Sequence, residues 1–436
     1  MGLIFDSLSV DVAVGVATSL VLICIFYSYS YGYWRRRNIP HIPAPFSIFG
    51  NVGDMLFMKK TPALVSRDNY NKLEGEPYGG FFIGPNPVML IRDPEVIKQV
   101  LVKNFTSFMD RHLDIDEKVN PVEENLFFMK GEKWRWLRSK LTPTFSSGKL
   151  KMMFHVLTEC ASEMNTYVEP IASKQECIEM RELFAQYNTE IVGEKNDISR
   201  NDFLQLLIQL KKKGYVTDDS TQSKEDAYLY YKIGDEASSV RKEFETLRKY
   251  PTIPILERKC TKPFTFPGTD YLMKKGDKLS IPAYAIQHDP KYYPDPERFD
   301  PERFTEEAKQ SRHPFTYLPF GEGPRICIAA MYSSAHRRFC SPLLSLTAHA
   351  YNSDRTKSVN LRTPHVSVLY LIEFEQLMTV AGMRFALMQI KVGLVSLLSK
   401  YKFSPCEKTD IPIVLLPKAF FLTPTNGIWL KITNRD

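Results

Sequence analysis

The chain has 436 residues, 44% of them hydrophobic, 12% aromatic and 25% charged. It can therefore bury a large core without disulfide or metal staples, and it is neither a disordered chain, a collagen nor a coiled coil. Lys and Arg (57) exceed Asp and Glu (50) by a net +7, a mild basic excess without the clustering that nucleic-acid binding requires, and seven scattered cysteines with no CxxC pair fit a reduced compartment rather than a disulfide framework or a zinc ribbon.

From Val12 to Tyr33 there is no charged residue, and Arg35, Arg36 and Arg37 follow at once, against only Asp6 and Asp11 on the other side. That run is long enough to cross a bilayer as a helix, and the arginines place the downstream body in the cytoplasm. A cleaved secretory signal would carry its positive charge ahead of the apolar run and a small-residue cleavage site behind it. Neither is present, so residues 1–34 are expected to be a retained transmembrane signal anchor. Residues 35–45, with Pro40, Pro43 and Pro45, disfavour helix and predict a stiff connector that keeps the body close to the membrane surface. The globular domain is expected over 46–436.

Tyr78 to Arg92 alternates apolar and small residues around Gly and Pro, as a small sheet with turns does. Asp93 to Lys213 reads as mostly helical, with amphipathic runs at Pro94–Leu101, Gly131–Leu141, Lys149–Tyr167 and Asp202–Lys213. Beyond Tyr250, Pro and aromatics thicken into an ordered meander rather than regular elements. Strand character returns over Ala419–Lys431. No repeat of solenoid length is present, and the fold class expected is mainly α with a small β-rich subdomain.

The sharpest chemical signal is Pro319-Phe320-Gly321-Glu322-Gly323-Pro324-Arg325-Ile326-Cys327-Ile328. Gly321 and Gly323 permit tight turns and close backbone approach to a flat cofactor, Arg325 can neutralise a carboxylate, and Cys327 can bind a metal as thiolate. A single cysteine in a loop is equally well a buried, inert one, and on these residues alone the two readings stand level. Glu245 and Arg248 lie one helical turn apart and can pair. Taken alone, such a pair reads as a solvated surface contact.

The loop resembles the haem-binding motif Phe-x-x-Gly-x-Arg-x-Cys-x-Gly of the cytochrome P-450 superfamily. Further family marks stand in the family's order: Trp134-x-x-x-Arg138, Glu245-x-x-Arg248 and Pro301-Glu302-Arg303-Phe304. The phrases WRWLRSKLTPTF, HPFTYLPFGEGPR and FDPERF are most similar to the insect microsomal branch that oxidises xenobiotics. The resemblance implies a haem-thiolate monooxygenase that inserts one oxygen atom of O2 into small lipophilic substrates. Its cofactor would be haem b, and its electrons would come from NADPH through a flavoprotein reductase. It would sit in the endoplasmic reticulum membrane and face the cytosol. The resemblance further implies that Cys327 is the proximal iron ligand and that Arg138, Arg258 and Arg325 meet the haem propionates. Phe320, Gly321 and Gly323 shape the loop, and Glu245, Arg248 and Arg303 form a structural ion-pair group. Trp134 is either a donor to a propionate or a core aromatic. Leu126–Met129 and Thr252–Leu256 are either pocket wall or plain core.

The chain departs from the family in two places. No Ala-Gly-x-[Asp/Glu]-Thr-Thr/Ser run stands between Asp202 and Glu245, where the family places the oxygen-activating part of a long central helix that relays protons. Part of the central helices is thus expected to be absent. After Ile328 the motif glycine is replaced by Ala329, and family-like sequence resumes only at Gly382-Met383-Arg384-Phe385. Residues 329–381 are therefore expected to be an interruption, a retained intron or gene-model error, the alternative being a genuine surface insertion. These departures support a rival to turnover: a haem-binding pseudoenzyme or a non-functional product.

Overall fold

In the computed structural model, the structure describes residues 8–44, 48–112, 126–145, 154–192, 237–251, 253–266, 271–327, 392–411, 413–419 and 422–435. The principal elements, in chain order, begin with α1 (Leu8–Tyr31), α2 (Pro62–Lys72), β1 (Tyr78–Ile83), β2 (Asn86–Ile91), α3 (Pro94–Lys98), α4 (Gly131–Leu141) and α5 (Phe154–Ser173). They continue with β3 (Cys177–Glu179), α6 (Met180–Val192), α7 (Ala237–Lys249), β4 (Leu256–Lys259), β5 (Phe264–Thr265) and β6 (Leu272–Met273). The last are β7 (Lys278–Ile281), α8 (Ala283–Gln287), β8 (Tyr401–Pro405) and β9 (Trp429–Asn434). Helix dominates, with small sheets beside it.

Helix α1 exposes Val12, Leu20, Leu22, Ile25 and Phe26, an apolar surface that suits lipid rather than water. It is the one helix among the described residues long and apolar enough to cross a membrane. The chain after it runs along the sheet. Trp34 is 2% exposed, with Ile39 and Ile42 also buried, and its indole N–H donates to the Phe81 carbonyl at 3.2 Å. Ile42 N donates to Gly80 O at 2.8 Å and Gly80 N to Pro40 O at 2.7 Å. A Cβ at Gly80 would stand 2.3 Å from the Trp34 ring, so the ring packs flat only because residue 80 is glycine.

The four-stranded sheet has the order β1-β2-β7-β4. β1 and β2 form an antiparallel hairpin from Tyr78↔Ile91 to Ile83↔Asn86, closed at Gly84 with φ +56°. β7 joins β2 in parallel at Val88↔Lys278 and pairs antiparallel with β4 at Leu256↔Ile281. A second sheet, β3-β9-β8, ties the chain end to the segment between α5 and α6. Two apolar cores result. One surrounds the four-stranded sheet and α2, the other lies among α4, α5, α6 and a helix over 392–400.

Several sequence expectations shift. β4, β5, β6, β7 and α8 occupy the stretch after Tyr250 that read as an irregular meander. Their two- to five-residue lengths carry too few alternations to register as a period, and distant pairing holds them. The helix expected over Pro94–Leu101 is α-helical only to Lys98 and continues as a π-turn over Gln99–Lys103. Strand β9 starts at Trp429, ten residues beyond the expected start. The run Asp202–Lys213 lies outside the described residues.

Candidate functional site

The loop ending at Cys327 is built by its glycines. Gly321 and Gly323 have φ of +69° and +76°. A Cβ on Gly323 would fall 1.9 Å from the Leu101 carbonyl oxygen, so the tight approach required here is to backbone. Backbone bonds close the turn, from Gly321 N to Leu318 O at 3.1 Å, Ile326 N to Gly323 O at 2.9 Å and Cys327 N to Phe320 O at 3.2 Å. Cys327 is half-buried, and with Phe320 and Ile326 it packs against the helical core.

Around this loop the structure brings together guanidiniums from four separate segments. Arg325, 3% exposed, donates through Nε to Met109 O at 2.9 Å and through Nη2 to Met129 O at 2.7 Å, and its Nη2 lies 3.6 Å from Asp110 Oδ1. Its guanidinium lies over the buried Trp134 ring at 4.1 Å, a cation–π contact worth most where water is excluded. Arg138 sits two turns into α4, on the face it shares with Trp134 and Leu141, and donates to Ile326 O at 2.7 Å. Arg258 of β4 donates to its neighbour Glu257 O at 2.8 Å. Arg111 lies partly buried, its guanidinium 3.4 Å from the Phe127 ring centroid and bonded to Phe127 O at 3.3 Å. Sequence reasoning missed it: a single arginine outside any motif carries no signal until the fold brings it beside the others.

Burial, and then repulsion from Arg258, pushes Arg325 down to about 9. Burial brings Arg138 down to about 10 despite the Cys327 sulfur, and Arg258 down to about 10 despite Glu257. Arg111 is lowered by burial, then by Arg258 and Arg325. Arg138 Nε, Arg258 Nε and Arg325 Nη1 are buried without an acceptor. Desolvated donors crowded in this way call for an anionic group with several acceptor oxygens. The two carboxylates of haem b meet that demand, so the residues present fit the cofactor.

Glu245 and Arg248, one turn apart on α7, are both 0% exposed and pair fork to fork at 2.8 and 2.8 Å. Asp300 N donates to Glu245 Oε1 at 3.0 Å, and Arg303 Nε stands 3.7 Å from the same oxygen. Arg248 also donates to Gln287 O at 2.8 Å and Pro296 O at 2.7 Å. Gln287, another residue no motif marked, returns bonds to Leu247 O and Arg248 O and accepts from Leu318 N at 2.8 Å. Its side chain thus connects the ion-pair group to the start of the Cys327 loop. The segment 329–381, Cys340 and residues 202–236 lie outside the described residues.

A sequence profile described as Cytochrome P450 matches residues 40–195 and 244–330. Among relatives, Cytochrome P450 6k1 of Blattella germanica is 27% identical over 535 aligned positions, which cover 91% of this chain and 91% of its own length. Cytochrome P450 6j1 of the same organism is 26% identical over 521 positions, covering 92% and 93%. Probable cytochrome P450 6a14 of Drosophila melanogaster is 27% identical over 536, covering 92% and 94%. Each alignment is longer than the 436-residue chain and is therefore opened by gaps where the relatives carry residues that this chain does not.

Proposed function

The chain belongs to the cytochrome P450 family of haem-thiolate monooxygenases, and from that premise we propose that it oxidises small lipophilic compounds, xenobiotics among them, at the endoplasmic reticulum membrane. Electrons would come from NADPH through a flavoprotein reductase. The observation that carries this reading is the set of buried guanidiniums with unmet donors gathered around the Cys327 loop.

Haem b, when bound, supplies the iron at which O2 is reduced and one oxygen atom is transferred. Cys327 would hold that iron as thiolate and push electron density toward it. Arg138, Arg258, Arg325 and Arg111 would hold the propionates, with the Trp134 ring supporting the Arg325 guanidinium that lies over it. Phe320, Gly321 and Gly323 fix the turn that presents the sulfur. Glu245, Arg248 and Arg303 would brace the meander, and Gln287 links that brace to the loop.

The exposed apolar α1 and the three arginines after it support membrane anchoring with the body on the cytosolic side. α4 exposes Lys133, Arg135, Trp136 and Lys140 on the side away from the guanidinium group, a basic surface suited to an acidic reductase. A second reading, a haem-binding protein without turnover, is favoured by the missing Ala-Gly-x-[Asp/Glu]-Thr run and by the alignment gaps. That reading keeps the expectation that part of the central helices is absent.

Carbon monoxide added to the reduced full-length protein tests both. A strongly red-shifted Soret band that disappears in Cys327→Ala is expected. Turnover of a lipophilic probe with added reductase and NADPH then separates the enzyme from the silent haem protein, and a band that survives Cys327→Ala overturns the ligand assignment.

A further inference from the structure

We propose that His112 and Glu257 are a positioning pair that holds Arg111 in register with Arg258, so that the two guanidiniums reach the same anionic group. This rests on the haem reading above and adds two residues to it.

The segment carrying Arg111 runs antiparallel beside β4 and its continuation. Thr261 N donates to Ser107 O at 2.7 Å, Thr261 Oγ1 to Thr106 O at 2.9 Å, and Lys259 N to Asp110 O at 2.8 Å. The bridge Asp110↔Lys259 sets the register, which carried on places Arg111 opposite Arg258 and His112 opposite Glu257. His112 Nδ1 stands 2.9 Å from Glu257 Oε2, with the two side chains 11% and 20% exposed. The contact is close but out of line for a hydrogen bond, since that nitrogen has no acceptor in good geometry. It is a polar clasp between the two strands.

Such a clasp has a purpose at this place. After burial, Arg258 is the largest influence disfavouring the charged form of Arg111, so two desolvated like charges lie one residue beyond the Asp110–Lys259 backbone bond, the last of this pairing among the described residues. Like charges directly opposite on paired strands push the strands apart. The His112–Glu257 contact lies on the far side of them from the Asp110–Lys259 bond and closes the pairing beyond the repulsion. Glu257 also offsets part of the desolvation of Arg258. Asp110 anchors the other end, accepting from Gly131 N at 2.9 Å while lying 3.6 Å from Arg325.

The test is haem release from the full-length protein to an excess of a haem-scavenging apoprotein, followed by absorbance, in wild type, His112→Leu, Glu257→Gln and the double variant. Release is expected to be about tenfold faster in each single variant, the loss of one buried polar contact, and no faster in the double variant than in either single, as a coupled pair requires. Thermal unfolding of the haem-free forms is expected to move little. His112→Gln replaces the leucine variant if that chain does not fold. Unchanged release, additive effects, or release that rises only in step with lost stability overturns the pair while leaving the haem reading intact. A wild-type chain that takes up no haem overturns both.

Discussion

Arg248 is fully buried, and Glu245 meets its Nε and Nη2 while the carbonyls of Gln287 and Pro296 take two further N–H donors. Breaking such a pair from one side leaves an uncompensated buried charge. Glu245→Ala should therefore destabilise the body by about 3–5 kcal/mol, read as a lower midpoint in thermal unfolding of the full-length protein, whereas an exposed pair such as Arg135–Glu132 should cost less than about 1 kcal/mol on Glu132→Ala. Equal effects of the two substitutions would remove the argument. The residue types at 245, 248 and 303 were legible because their spacing fits one helical face and one motif. Arg111, Gln287 and His112 were not: Gln287 and His112 act through partners more than 30 residues away in sequence, Arg111 gains its place only beside arginines of other segments, and no local period records such partners.

At the scale of elements, long periodic stretches were legible and short paired ones were not. α4 shows its buried face at residues 134, 138 and 141, a spacing any helical projection reveals. β4 and β7 have four residues each and exist because they pair with one another across about 20 residues of chain. The N-terminal elements divide between membrane and body in a way the apolar run alone does not show, since Trp34 belongs to the sheet core. A chain starting at Tyr33 should leave the membrane fraction and unfold only slightly below the full chain, the loss being the Tyr31 ring packed on Phe82. A chain starting at Arg35 should also lose the Trp34 ring and its bond to Phe81 O, a cost of about 3–5 kcal/mol for a large buried aromatic. Fractionation and then thermal unfolding separate the two losses. If the Arg35 form is as stable as the Tyr33 form, the packing of Trp34 contributes nothing, and if the Tyr33 form pellets with membranes as the full chain does, α1 is not the anchor.

For the whole molecule the decisive stretch is the one directly behind Cys327. The family profile runs to residue 330, three residues past Cys327, and finds no match beyond it, although Val392, Leu394 and Leu397 pack in the same core that Cys327 and Phe320 touch. Deleting Ala329–Ala381 joins Cys327-Ile328 to Gly382-Met383-Arg384-Phe385 and restores Phe-x-x-Gly-x-Arg-x-Cys-x-Gly in one step. A helix starting at that join would bring its free N–H groups and the positive end of its dipole to the sulfur, which lowers a thiol's pKa and favours the thiolate that binds iron. The sequence within the segment shows no sustained helical or strand period and no capping signal. Loop closure costs little even for long insertions, but they are tolerated at exposed tips, not two residues after the proposed iron ligand. We therefore expect the deleted form to take up haem at higher occupancy than the intact chain and to give the red-shifted carbon monoxide band in full, and we expect the mature transcript to lack the codons of the segment. Intact protein with full haem occupancy and the thiolate band, made from a transcript that retains those codons, would show instead that the fold accepts 53 residues directly behind its iron ligand.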